Sequence, residues 1–309
     1  MVELLSRLLG LAVPVFAVAS MLSVGLSYTP KQILEPLRHV RGVALALAAN
    51  FVVVPLLAYA ISRLLTLDRS LELGLVLIAL AAGAPFAVKL VEIARGDVPF
   101  TAGLLVLMLL ATIVYMPVVV PLAVPDVTIG AGAIARPLLL TMLLPLGLGV
   151  ALRGLAPSWG ARLQPLAAKT ANVSLVLLVI LTVVVNVRAI VGVFGTGAIL
   201  AALLVLGGAL ASGYLLGGFR PDTRDEMALV TSQRNFAAAL VVAQSFADEE
   251  VLVMVVVVSV VSMLLLFPIA RAMGRHVERS SAESAGAASD APGEESGRNA
   301  PPGRRRAAS

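Results

Sequence analysis

Apolar residues fall into blocks long enough to cross about 30 Å of hydrocarbon at about 1.5 Å per helical residue, and nine such blocks follow one another along the chain. They cover 8–27, 42–62, 71–91, 98–124, 137–155, 170–187, 190–216, 226–246 and 251–272. This pattern predicts an all-α polytopic membrane protein with nine transmembrane helices. The first block is too long for a signal-peptide core and runs into Gly25 and Thr29 without a small-residue cleavage pattern, so it too reads as a spanning helix. From about Val277 the chain turns to Ser, Ala, Gly, Glu, Pro and Arg with no apolar periodicity. The expected organisation is therefore a transmembrane domain over 1–276 and a disordered, dispensable cytoplasmic tail over 277–309.

Two of the blocks are interrupted. The eighth contains Thr231, Ser232, Gln233, Arg234 and Asn235 in one unbroken polar run. A regular helix cannot aim five consecutive side chains at one partner, whereas a broken one can line a cavity with side chains and unwound backbone. The third block has its own breakers, Gly83 and Pro85. Asp97 precedes Pro117 by 20 residues and Asp248 precedes Pro268 by the same 20. The offset between the two Asp residues, 151, carries Ala84 onto Asn235. Because five spans separate the third from the eighth, the two units enter the membrane in opposite directions, an inverted-topology repeat. Paired interrupted spans in two halves point to a transport site near the midplane.

A cation at membrane depth costs about 2.5–3.5 kcal/mol on insertion scales, which makes Arg234 the first candidate for a functional group. It lies eight residues past Glu226, roughly 12 Å in from the nearer face. Val230, Thr231, Ala237 and Ala238 occupy the positions three and four residues away, so no acid on its own helix can pair with it. It needs another helix, a backbone carbonyl or an anionic ligand. Lys89 is the second candidate cation, at a similar depth from the same face. Glu92, three residues on, can pair with it, and its stem can carry the ammonium to the interface.

Composition narrows the function classes. Hydrophobic residues make up 59% of the chain and charged ones 13%, with a mean hydropathy of +0.99, which excludes a water-soluble domain. The absence of cysteine excludes disulfides, thiolate metal sites and thiol nucleophiles, and the isolated His39 and His276 make no metal site. Twelve Lys and Arg in loops on one side against five on the other orient the chain in a cell inner or plasma membrane, N-terminus outside and C-terminus cytoplasmic. These loops and the tail account for the net charge of +5, so the lipid bilayer and no nucleic acid is the expected partner. No nucleotide-binding loop is present, and the spans carry no His, Cys or midplane acid for a membrane-embedded enzyme. No cofactor is expected.

Four segments, 21–30 (MLSVGLSYTP), 49–58 (ANFVVVPLLA), 94–98 (ARGDV) and the stretch around Asn235, resemble the bile acid:sodium symporter family of organic-anion transporters. The resemblance implies discontinuous third and eighth spans that cross at the binding site, and inverted repeats that rock as a panel domain against a core domain. It places Asn50 where a Gln helps bind sodium, Thr101 where a Ser does, and Asn235 on the Asn of the eighth span. Where the family has an acid followed four residues later by Gln and Asn, this chain has Val230, Arg234 and Asn235. Its Ser-Asn pair falls on Ala87 and Val88. Sodium prefers oxygen ligands, which Val, Ala and a cation do not supply. The expected function is a secondary active transporter of a small organic anion, monomeric, with sodium coupling weak or absent because Arg234 does permanently what a bound ion does transiently. The alternative is a passive channel or facilitator.

Overall fold

The computed structural model describes residues 2–29, 31, 39–123, 130–185, 187–217, 223–246 and 248–289, and among these residues it is helices and turns without a strand. The chain opens with α1 (Val2–Ser27) and α2 (Val40–Leu64). The first interrupted block folds as α3 (Arg69–Leu80) and α4 (Phe86–Ile93). Next come α5 (Val98–Ala123), α6 (Ala131–Leu155), α7 (Pro157–Val185), α8 (Val187–Gly192) and α9 (Ala198–Leu216). The second interrupted block is α10 (Arg224–Ser232) and α11 (Phe236–Ala243), and α12 (Glu249–Ser289) closes the chain. Six helices among the described residues, α1, α2, α5, α6, α9 and α12, are long and apolar enough to cross a membrane. The third and eighth predicted spans are each present as two short halves.

The short halves lie at the centre. Every residue from Leu71 to Leu80 in α3 is buried, and so is all of α11. A helix that is apolar all round belongs inside protein, and past Glu72 both stretches are apolar and packed against other helices. α3 packs along α12, where Gly74 admits Met254 so closely that a Cβ would lie 2.6 Å from the Met254 Cβ. α9 packs along α10, α2 and α12, while α1 packs along α6 and α7 with Gly25 against Gly149.

The starts of the broken helices tie into the other half of the chain. Ser70, at the start of α3, donates from its hydroxyl to the Asp248 carboxylate just ahead of α12. Glu226, in the first turn of α10, accepts from the Asp97 N–H just ahead of α5 at 2.7 Å. Each broken helix thus begins against the foot of the other unit's long helix, a reciprocal arrangement that fits the repeat read from Asp97 and Asp248.

α2 carries a π-helical turn at Ala49–Val53, followed by Pro55. Val54 N–H reaches back five residues to the Ala49 carbonyl. Pro55 has no N–H to offer, so the Asn50 carbonyl is left without a helical partner. The Tyr115 hydroxyl from α5 donates to the neighbouring Phe51 carbonyl at 2.6 Å.

One boundary differs from the expectation. α12 does not end near 277 but continues as helix to Ser289. The stretch is rich in Ala, Glu and Ser with Arg279, the first proline after Pro268 is Pro292, and Arg95 pairs with Glu278, so nothing stops the helix at 277. The remainder of the predicted tail, 290–309, lies outside the described residues.

Candidate functional site

The two helix breaks meet. α3 ends at Leu80, Ala81 is extended (φ −91°, ψ 93°), and Gly83 takes the left-handed φ of +76° before Pro85 opens α4. α10 ends at Ser232, and Gln233 (φ −78°, ψ 110°) and Asn235 (φ −81°, ψ 88°) carry the chain into α11. The Asn235 N–H donates to the Ala81 carbonyl at 2.9 Å and its Nδ2 to the Gly83 carbonyl at 3.1 Å. Its Oδ1 accepts from the Ala238 N–H at 3.1 Å, capping α11. One side chain therefore closes the second break and binds it to the first.

Unwound backbone in an apolar interior must find partners, and the long helices supply them. Thr112 of α5 both donates to the Ala82 carbonyl and accepts from the Ala82 N–H, each at 3.0 Å. On the other side, Ser262 of α12 donates to Gln233 Oε1 at 3.0 Å, and Ser232 donates to the Leu206 carbonyl of α9 at 3.0 Å.

Arg234 occupies the centre of this arrangement and is 1% exposed. Its Nε donates to the Ile78 carbonyl at 3.3 Å. Nη1 donates to Asn50 Oδ1 at 2.7 Å and to the Thr231 carbonyl at 3.1 Å. Nη2 donates to the Asn50 carbonyl at 3.4 Å and to the Ala79 carbonyl. All five N–H groups of the guanidinium are thereby used, and every acceptor is a neutral oxygen. Among the described residues no carboxylate pairs with it.

The source of the compensating charge is the backbone. Ile78 and Ala79 are in the last turn of α3 and Thr231 is in the last turn of α10, so two helix C-termini, each equivalent to roughly −0.5 charge, converge on one cation. The fourth carbonyl, that of Asn50, is the one that the π turn and Pro55 release. Asn50 Nδ2 in turn donates to the Ala46 carbonyl at 3.0 Å and to Thr231 Oγ1 at 3.3 Å, which fixes its Oδ1 toward the guanidinium.

The structure thus brings Asn50, Thr231, Ser232, Gln233, Arg234 and Asn235 together, and leaves the other two predicted site residues apart from them. Lys89 is more than half exposed and bonds to Glu92 at 2.8 Å, so this pair takes its charge and it makes no bond to the crossover. Lys89→Gln is expected to change thermal stability by no more than about 1 kcal/mol, the range of exposed ion pairs, as a melting curve in detergent would measure. Thr101 is fully buried on α5, but its hydroxyl has no hydrogen-bond partner, Arg234 included. Val230 and Ala87 are buried with Leu104 and Phe100 in one apolar cluster.

Thr112, Ser262 and Tyr115 were not singled out from the sequence. Two of them carry a usable signal: Ser262 stands 150 residues after Thr112, one short of the 151 that separates Asp97 from Asp248, so the two hydroxyls stand on corresponding turns of α12 and α5. Of the carbonyl acceptors of Arg234, only that of Asn50 carries a side-chain signal, the proline five residues on.

Fold and site together define a multi-pass helical membrane protein built around two broken helices whose breaks meet, with a buried cation held at their junction. The family model described as the sodium bile acid symporter family matches residues 14–193, and the chain belongs to that family. Its members are transporters rather than enzymes, and the chain is a transporter of the bile acid symporter type. The matched stretch holds the first break with Asn50, Lys89 and Thr101, while Arg234 and the second break lie beyond it. Among curated proteins none matches the chain.

Proposed function

We propose that this chain carries a small organic anion, such as a carboxylate, a sulfonate or a steroid-like acid, across the membrane by alternating access without sodium, because Arg234 takes the place of a bound cation. The observation that carries this reading is the coordination of the guanidinium: five donors on five neutral oxygens, between the C-terminal ends of two half-helices. Half-helix C-termini and unwound carbonyls are the groups that hold Na⁺ or H⁺ in transporters with crossed, broken helices. Here a covalently attached charge fills such a set, so a diffusible ion has neither the vacancy nor a carboxylate to neutralise it.

The same geometry suggests where the substrate goes. Arg234 has no N–H left for a second anion in this arrangement, so it supports the crossover rather than contacting the substrate. The opposite ends of the break, the N-termini of α4 and α11, carry the positive ends of their helix dipoles and suit an anionic group. In this reading α1, α6 and α7 form the panel of a nine-span protein and rock against a core containing the crossover, with the N-terminus outside. A gradient of the anion itself, or exchange for another anion, drives movement.

Purified protein in proteoliposomes, tested by counterflow with labelled organic anions, is the direct measurement. Uptake is expected to be equal when sodium is replaced by potassium or a large organic cation. Uptake that rises with an imposed inward sodium gradient would refute the tethered-cation reading, and unitary currents without saturation would favour a channel.

A further inference from the structure

A second charged site lies away from the crossover, between the end of α4 and the last part of α12. Arg271, Gly274, Arg275 and Glu278 stand at i, i+3, i+4 and i+7, one face of α12, and this face is turned to α4. With Ile93 and Arg95 they line a recess of about 360 Å³. Gly274 lets the two helices close up: a Cβ there would run into the Ile93 carbonyl. Arg95, in the left-handed region at φ +63°, turns back over the recess and pairs with Glu278.

That pairing consumes the one acidic side chain lining the recess. Arg271 and Arg275 are exposed and have no hydrogen bond or ion pair among the described residues. Three guanidinium groups against one carboxylate leave an excess of two positive charges in a concave site floored by Ile93. The level of the site in the membrane says what would fill it. Arg271 lies 22 residues after Glu249 along α12, about 33 Å, so a helix that starts at one interface delivers it to the other, on the face that the loop charges assign to the cytoplasm. Phosphate groups of lipids occupy that level, and basic pockets between helices there suit anionic headgroups.

We propose that the recess between α4 and α12 binds the phosphate of an anionic membrane lipid, with Arg271 and Arg275 holding the phosphate oxygens and Ile93 facing the first carbons of the lipid. Arginine forks match phosphate oxygens in pairs, which favours this ligand over a simple halide. A free phosphate presents the same oxygens but no apolar portion for Ile93.

The test is lipid retention by the full chain, measured by native mass spectrometry from detergent after exposure to equimolar phosphatidylglycerol and phosphatidylcholine. The wild type is expected to retain phosphatidylglycerol selectively, and Arg271→Gln/Arg275→Gln to lose at least tenfold of that retention. Arg271→Lys/Arg275→Lys should retain an intermediate amount. The single variants Arg271→Gln and Arg275→Gln, both at exposed positions, serve if the double variant cannot be purified, and each should show a partial loss. Equal retention by wild type and glutamine variants, or equal retention of the two lipids, would overturn the proposal. So would displacement of the lipid by inorganic phosphate at equal concentration, which would assign the recess to a soluble anion.

Discussion

Arg234→Gln should abolish transport and lower the melting temperature more than any other polar substitution in the crossover. The guanidinium supplies five hydrogen bonds, and its loss leaves the carbonyls of Ile78, Ala79, Thr231 and Asn50 facing a neutral amide that can satisfy two of them at most. Removing one side of a buried charge interaction costs about 3–5 kcal/mol, and the present case adds the mutual repulsion of two helix C-termini left uncompensated. Arg234→Lys restores the charge but not the fork, so it should recover part of the stability. A more demanding variant is Val230→Glu/Arg234→Gln, which returns an acid to the apolar cluster around Ala87 and opens the cation position. Its melting temperature should rise with sodium concentration, as ligand linkage requires, while that of the wild type stays flat. A flat response in both, or uptake by Arg234→Gln equal to wild type, would remove the cation role from Arg234.

Gly83→Val is expected to give little folded protein, and Gly83→Ala a marked loss of stability. Two independent costs act at this position. A φ of +76° strains any residue with a Cβ by about 1–3 kcal/mol, and the Cβ would also collide with the backbone of Leu109 on α5. Neither α3 nor α5 can yield without breaking the Thr112 bonds to Ala82. Gly147→Ala on α6 provides the comparison, because nothing lies within 4 Å of its Cβ position and an exposed helical glycine gains up to about 1 kcal/mol on becoming alanine. Melting curves of the two alanine variants should therefore move in opposite directions, and a stable Gly83→Ala would show that the break is not fixed in the form described.

Much of this was legible in the residues, for identifiable reasons. A run of five polar side chains is incompatible with one helix face, so the break at Gln233–Asn235 followed from geometry alone, and Gly83 with Pro85 marked its partner. The absence of an acid near Arg234 was equally plain and left another helix, a backbone carbonyl or an anionic ligand as its partner. Which carbonyls could not be read, because backbone acceptors look alike in every residue and only the fold decides that Ile78 and Ala79 lie across from position 234. Lys89 was ambiguous for a different cause: a long flexible stem lets one sequence position serve two depths, and in the structure its ammonium bonds to Glu92. α12 runs on to Ser289, past the point where the apolar pattern ends, because a polar run without apolar periodicity has no reason to pack yet nothing in Glu278 to Ser289 forbids helix.

The shared use of Asn50 by the guanidinium has a consequence for how such a site can arise. Its Oδ1 stands 2.7 Å from Nη1, and its main-chain oxygen is free only because Pro55 follows the π turn. A side chain one methylene longer at position 50 would intrude on the space that the guanidinium fills. Substitutions at 50 and 234 are therefore expected to be epistatic: arginine at 234 opposite a longer side chain at 50 should be crowded as well as unmatched, whereas opposite Asn50 it is accommodated. Grafting the arginine into a family relative that has a longer amide at the position of Asn50 should accordingly succeed only when that amide is shortened to Asn as well, two changes inherited as one.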